Sequence, residues 1–120
     1  MANEFLNLIE QRRTIYALGK NVAQTPEYLT DLIQRTIRES PSSFNSQSSR
    51  AVILFNSEHE KFWNFVKQEL QAYATDEAAA AKTATKMDSF AAGLGTILFF
   101  EDMGVVEAMV DPIKHLNLDD

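Results

Sequence analysis

Cysteine is absent from this 120-residue chain. That removes disulfides, thiolate nucleophiles and zinc–thiolate sites together, and it fits a reducing compartment. Histidine occurs only as His59 and His115, far apart and without a second ligand at metal spacing, so no metal site is expected. Basic residues are outnumbered, 11 against 17 acids for a net charge of −6. Lysine and arginine are not clustered into a basic patch, which argues against a nucleic-acid partner. No apolar run approaches the roughly 20 residues of a membrane span, and no charged leader with an apolar core opens the chain. Neither membrane insertion nor export is therefore expected, and the expected location is cytoplasmic. What is present is 45% hydrophobic residues with all three aromatic types, enough for one globular domain over 1–120.

Local signals divide the chain into helices and two strands. Asn3 is placed to cap a first helix whose stripe of Phe5, Leu8 and Ile9 runs on to Arg12. Leu18-Gly19-Lys20-Asn21 reads as a turn. Thr25-Pro26-Glu27 is a helix start, with a cap oxygen, a fixed proline φ and an acid in the first turn. Leu29, Leu32, Ile33, Thr36 and Ile37 form the expected buried stripe of this second helix, and Pro41 ends it. Ala51–Phe55 is apolar on both alternating faces and predicts a strand central in its sheet. A capping box at Ser57 and Glu60 opens a third helix with Phe62, Phe65, Val66, Glu69, Leu70 and Tyr73 on its stripe and Trp63 beside it. Thr75-Asp76-Glu77 opens a fourth through an alanine run, and Gly93 is expected to close it in the left-handed conformation. Thr96–Phe100 predicts a second doubly apolar strand. A short helix over about 103–110 follows, stopping at Pro112, with a frayed acidic tail to Asp120.

Two strands that each want neighbours on both edges cannot satisfy one another, because a two-stranded sheet is nearly all edge. The pattern therefore predicts an incomplete sheet in this chain, completed by further strands or by a partner chain.

Two stretches carry candidate chemistry. Arg12, Arg13 and Thr14, where the first helix ends, could grip a phosphate through bidentate hydrogen bonds plus a hydroxyl; basic residues there also simply complement the helix dipole. From Glu39 to Arg50, ten of twelve residues have polar side chains. Ser42, Ser43, Asn45 and Gln47 offer donors and acceptors suited to a flat heterocycle or a phosphate-bearing tail. The same residue types also serve ordinary turns by bonding their own backbone. Gly93-Leu94-Gly95 lacks a third glycine and precedes a strand, the reverse of a dinucleotide-binding turn.

Taken together, Gln11-Arg12-Arg13-Thr14-Ile15, Ser40-Pro41-Ser42-Ser43-Phe44-Asn45-Ser46-Gln47 with Arg50, and Ser89–Glu101 resemble the nitroreductase family of FMN-dependent enzymes. The third stretch is most similar to the branch of fungal fatty-acid-repression-mutant type proteins and small bacterial nitroreductases. The resemblance implies an α+β fold with a central, mostly antiparallel sheet wrapped by helices, of which this chain is the N-terminal part. It also implies an intertwined homodimer with FMN at the subunit interfaces. By similarity, Arg12, Arg13 and Thr14 hold the phosphate, ribityl chain and ring edge, with Thr14 replacing the commoner serine. Tyr16 stands where many relatives have a lysine facing the flavin. Pro41, Ser42, Asn45 and Gln47 match the family's Pro-Ser-x-x-Asn-x-Gln signature and are expected to approach the flavin from the partner subunit, with Ser43 as an extra contact. The implied activity passes electrons from NAD(P)H through FMN to nitroaromatic or quinone acceptors, with no catalytic side chain required. The alternative is a non-catalytic flavin-binding or regulatory module of the same fold.

Overall fold

The computed structural model describes residues 3–115, with side chains described to Val110. Five helices and one antiparallel sheet of two strands make up its regular structure. The residues fall into two compact units, one of 1–21 with 60–94 and one of 22–59 with 95–120. Among the described residues no helix is long and apolar enough to cross a membrane.

In the first unit, α1 (Glu4–Gln11) starts where Asn3 accepts a hydrogen bond from the Leu6 amide at 3.0 Å. All of its side chains are exposed, Phe5 by 74%, so its apolar stripe is uncovered. Arg12 caps the helix and is exposed too; the expectation that it continues an inward face does not hold.

Most of α3 (Asn56–Gln71) belongs to this unit, as does α4 (Glu77–Ala91). Asp76 caps α4, accepting from the Ala79 amide at 2.7 Å. Trp63 forms the join: its ring lies 4.9 Å from Phe62, edge-on, and 5.2 Å from Phe90 of α4. Met87 is buried, and Lys67 meets Asp88 at 3.0 Å. The inward stripe of α3 is thus Phe62, Trp63 and Val66, while Phe65, Leu70 and Tyr73 are exposed. Phe65, two positions from Trp63 and so about 200° around the helix, falls on the opposite side from the face that meets Phe90.

The capping box is not formed. Helix α3 begins at Asn56, whose φ of 53° turns the chain directly out of the preceding strand, and Glu60 reaches Lys20 at 3.7 Å instead. Gly93 is buried but has no positive φ. Its amide bonds the Phe90 carbonyl at 3.2 Å, closing α4 with a tight turn. A Cβ there would lie 3.4 Å from Leu18 Cδ1, an ordinary van der Waals contact.

In the second unit, α2 (Pro26–Glu39) starts at Thr25, which accepts from the Tyr28 amide at 3.1 Å, and ends at Ser40, extended before Pro41. Leu29, Ile33 and Ile37 are half-buried; Leu32 and Thr36, expected on that stripe, are exposed. The helix packs on β1 (Ser49–Phe55), and a single neighbour covers a narrower arc than the sequence stripe spans. β1 pairs antiparallel with β2 (Gly95–Glu101) in a register from Ser49 opposite Glu101 to Phe55 opposite Gly95. Each strand has one neighbour among the described residues, in keeping with the incomplete sheet that the pattern predicts. Each has one unpaired edge among the described residues, and Val52, Phe99 and Phe100 are exposed.

His59 is fully buried, its Nδ1 2.7 Å from Thr96 Oγ1. Helix α5 (Met103–His115) runs through Pro112 rather than stopping before it. A proline's fixed φ is itself helical, so the helix can continue at the loss of a backbone bond. The frayed tail foreseen to Asp120 lies outside the described residues beyond His115.

Candidate flavin-edge loop

The segment from Pro41 to Ser48 joins α2 to β1 and lies wholly within the second unit. Its backbone is unusual. A single 3-10 turn at Ser43–Asn45 is followed by β1, and Phe44, Asn45 and Gln47 have φ of 53°, 54° and 53°. Left-handed backbone is tolerated by asparagine but costs phenylalanine and glutamine on the order of 1–3 kcal/mol each. Such conformations persist where the surroundings over-determine them, and they gather at ligand clamps and active sites.

Part of the loop's polar capacity is spent on itself. Ser42 Oγ accepts from the Gln47 amide at 3.1 Å, and Gln47 Nε2 donates to Asn45 Oδ1 at 3.1 Å. The Asn45 and Ser46 amides bond the Ser42 and Ser43 carbonyls at 3.0 Å each. The turn reading of these residues is correct for those atoms. What remains is a short row: among the described residues no partner takes the Ser42 hydroxyl proton, the Asn45 amide N–H groups or the Gln47 amide oxygen. Two donors and an acceptor so grouped match the mixed donor–acceptor edge of a flat heterocycle. The donor set therefore fits the pyrimidine edge of a flavin.

The loop separates two concavities. One, of about 440 Å³, has Ser43, Phe44, Ser46 and Ser48 on one side and Val106, Met109 and Val110 of α5 on the other, with Pro41, Ser42, Ser49 and Glu101 completing it. The second, of about 350 Å³, is lined by Ile37, Arg38, Ser40, Pro41, Ser42, Asn45, Gln47, Ser49 and Phe99. Asn45 and Gln47 therefore line the smaller one, where Arg38 supplies a cation and Phe99 a flat apolar wall.

A polar network that sequence alone did not assign anchors the far end of the loop. Ser48 donates to Glu101 Oε2 and Ser49 to Glu101 Oε1 at 3.2 Å. Arg50 donates to the Gln47 and Ser49 carbonyls at 2.8 and 3.0 Å and to Asp102 Oδ2 at 3.2 Å. Asp102 Oδ1 in turn accepts from the Gly104 amide at 3.0 Å at the start of α5. Ser48, Ser49 and Arg50 lie 52 or 53 positions from Glu101 and Asp102, and the β1–β2 register brings them together. The apolar match of the two strands hinted at that register, without fixing it.

Arg12, Arg13 and Thr14 belong to the other unit, in the irregular segment after α1. All three are exposed, and neither arginine meets a carboxylate among the described residues. Two unneutralised guanidinium groups beside a hydroxyl fit a phosphate chemically. Tyr16, two residues on, is exposed and its carbonyl accepts from the Leu18 amide at 3.0 Å. No group of three or more His, Cys, Asp or Glu among the described residues is arranged to hold a metal ion.

Residues 9–115 match the profile of the family described as "Nitroreductase family". The nitroreductase FRM2 of Saccharomyces cerevisiae is 32% identical over 109 residues, covering 88% of this chain and 52% of that protein. Among solved structures, the nitroreductase CinD from Lactococcus lactis in complex with chloramphenicol superposes with a TM-score of 0.76 at 43% identity, over 91% of this chain and 53% of that one. A nitroreductase from Saccharomyces cerevisiae superposes with a TM-score of 0.71 at 27% identity, over 95% and 61%. The chain spans about half the length of the curated relatives it matches.

Proposed function

Because this chain belongs to the nitroreductase family, we propose that it is part of an FMN-dependent oxidoreductase that moves electrons from NAD(P)H to nitroaromatic or quinone acceptors. The observation that carries the reading is the Ser42–Gln47 loop: strained, internally braced, and still presenting two donors and an acceptor to the space around it. Support for the acceptor class comes from CinD, a relative solved with chloramphenicol, with 4-nitrophenol and with nicotinic acid. All three ligands contain a flat aromatic ring.

Bound FMN would supply the two-electron chemistry, taking hydride from the nicotinamide and yielding electrons to the acceptor. The chain's own residues bind and orient. Arg12 and Arg13 would neutralise the phosphate, and Thr14 would add a hydroxyl donor. From the partner subunit, Ser42 and the Asn45 side-chain amide would donate to the ring edge, and the Gln47 side-chain oxygen would accept from it. Pro41 fixes the start of the loop through its ring-locked φ, and Ser43 contributes a further hydroxyl beside it. Hydrogen bonds to the ring edge stabilise added negative charge when the ring is reduced, which is how a protein without a catalytic side chain tunes this cofactor.

The reading includes a homodimer in the cytoplasm. The uncovered stripe of α1, the open strand edges and exposed Phe99 and Phe100 form the kind of apolar surface that a second copy covers. The deciding experiment is anaerobic mixing of the FMN-loaded chain with NADH or NADPH, followed by 4-nitrophenol or a quinone. Bleaching of the flavin absorbance and its return on adding acceptor are expected, on a species sedimenting as a dimer. Flavin that is retained but never bleached would replace the enzyme reading with a flavin-binding module.

A further inference from the structure

The strained loop needs an external brace at its Gln47 end, because its internal bonds join Ser42, Ser43, Asn45 and Gln47 only to one another or to Ser46. Arg50 supplies it. One guanidinium nitrogen holds the Gln47 and Ser49 carbonyls at 2.8 and 3.0 Å, and the other holds Asp102 at 3.2 Å. The Asp102 amide donates back to the Ser48 carbonyl at 2.7 Å, so the loop's exit is clasped from both sides. Glu101 receives the hydroxyls of Ser48 and Ser49 beside it.

We infer that Arg50 is a positioning residue for flavin recognition, fixing the left-handed Gln47 backbone through a clamp shared with Asp102, and that it does not itself touch the ligand. This rests on the flavin reading of Ser42, Asn45 and Gln47. The ion pair as such contributes little, since both side chains are about half exposed, 52% and 41%. The effect comes from shape: a planar fork with five donors can hold carbonyls and a carboxylate from three segments at once, and an ammonium group on a flexible stem cannot reproduce it. Because Asp102 Oδ1 also bonds the first amides of α5, the clamp ties the loop to the helix whose Val106, Met109 and Val110 wall the larger concavity.

The test compares the full chain with Arg50→Ala, Arg50→Lys and, as a control, Arg35→Ala, whose arginine pairs, among the described residues, with Asp31 along α2 at 3.7 Å. Two readouts are taken: amide hydrogen exchange without ligand, and affinity for FMN by flavin fluorescence. Arg50→Ala is expected to speed exchange at the Gln47 and Asp102 amides at least about tenfold, with α4 amides unchanged, and to weaken FMN at least about tenfold, as the loop's ring-edge hydrogen bonds are lost with its geometry. Arg50→Lys should fall between, and Arg35→Ala should match the parent chain in both. Uniformly faster exchange along the whole chain, or a loosened loop with unchanged FMN affinity, overturns the inference. If the parent chain holds no FMN, the flavin reading of the site fails, and the exchange data then speak to the clamp alone: unchanged Gln47 exchange in Arg50→Ala overturns that too.

Discussion

Gly95→Ala is expected to cost about 3 kcal/mol of stability, the upper part of the usual range for overpacking. The residue opens β2 opposite Phe55, and a Cβ there would lie 2.7 Å from the Leu54 carbonyl oxygen and 2.8 Å from Phe55 Cδ1. Comfortable contact for a carbon atom is about 3.5–4.0 Å. The Phe55 ring could swing aside, but the carbonyl is backbone in the paired strand and can move only by disturbing the ladder. Gly19→Ala is the control, since a Cβ there meets nothing within 4 Å. Urea unfolding of both variants should show a large loss for the first and almost none for the second. Equal midpoints would mean that the strands do not approach as described.

The largest effect on ligand binding is expected from the double variant Asn45→Ala with Gln47→Ala, which removes a donor and an acceptor from the loop. Each hydrogen bond contributes about 0.5–1.5 kcal/mol net, so together they should weaken FMN by about fivefold to 150-fold. The melting temperature of the flavin-free chain should change little, because the pair removes only one internal bond of its own, Gln47 to Asn45, while the backbone bond from Gln47 to Ser42 persists. A purely structural loop predicts the reverse: clear destabilisation without flavin and unchanged affinity in the folded protein.

Three helix starts were legible in the sequence because capping is local, whereas the capping box expected to open α3 is not formed. Asn3, Thr25 and Asp76 each accept the backbone amide three residues on, as their side chains and position implied. The two strands were equally plain from their apolar runs, and the α+β class and family resemblance agree with the superposed structures. Burial was less legible. Leu32, Phe65 and Tyr73 lie on amphipathic stripes yet are exposed, because a stripe says which side of a helix is apolar and not how much of it a neighbour covers. Gly93 misled too: glycine after a helix suggests a left-handed turn, yet its φ is not positive, and a Cβ there would meet Leu18 at ordinary contact distance. In the loop, the residue types were readable, but the left-handed φ values of Phe44 and Gln47 carry no compositional mark. The Arg50 clamp needed the strand register before its partners could meet.

The central claim is the proposed FMN site, with Arg12 and Arg13 at the phosphate and the Ser42–Gln47 loop meeting the ring from the partner subunit. Titration of FMN into the purified chain, followed by quenching of flavin fluorescence and repeated with Arg12→Ala, tests it most directly. The account predicts saturation at one FMN per chain, with affinity in Arg12→Ala weakened at least about tenfold, as expected for a charge-assisted hydrogen bond contributing about 1.5–3 kcal/mol. Absence of saturable quenching, or the same affinity in Arg12→Ala as in the parent chain, would contradict it.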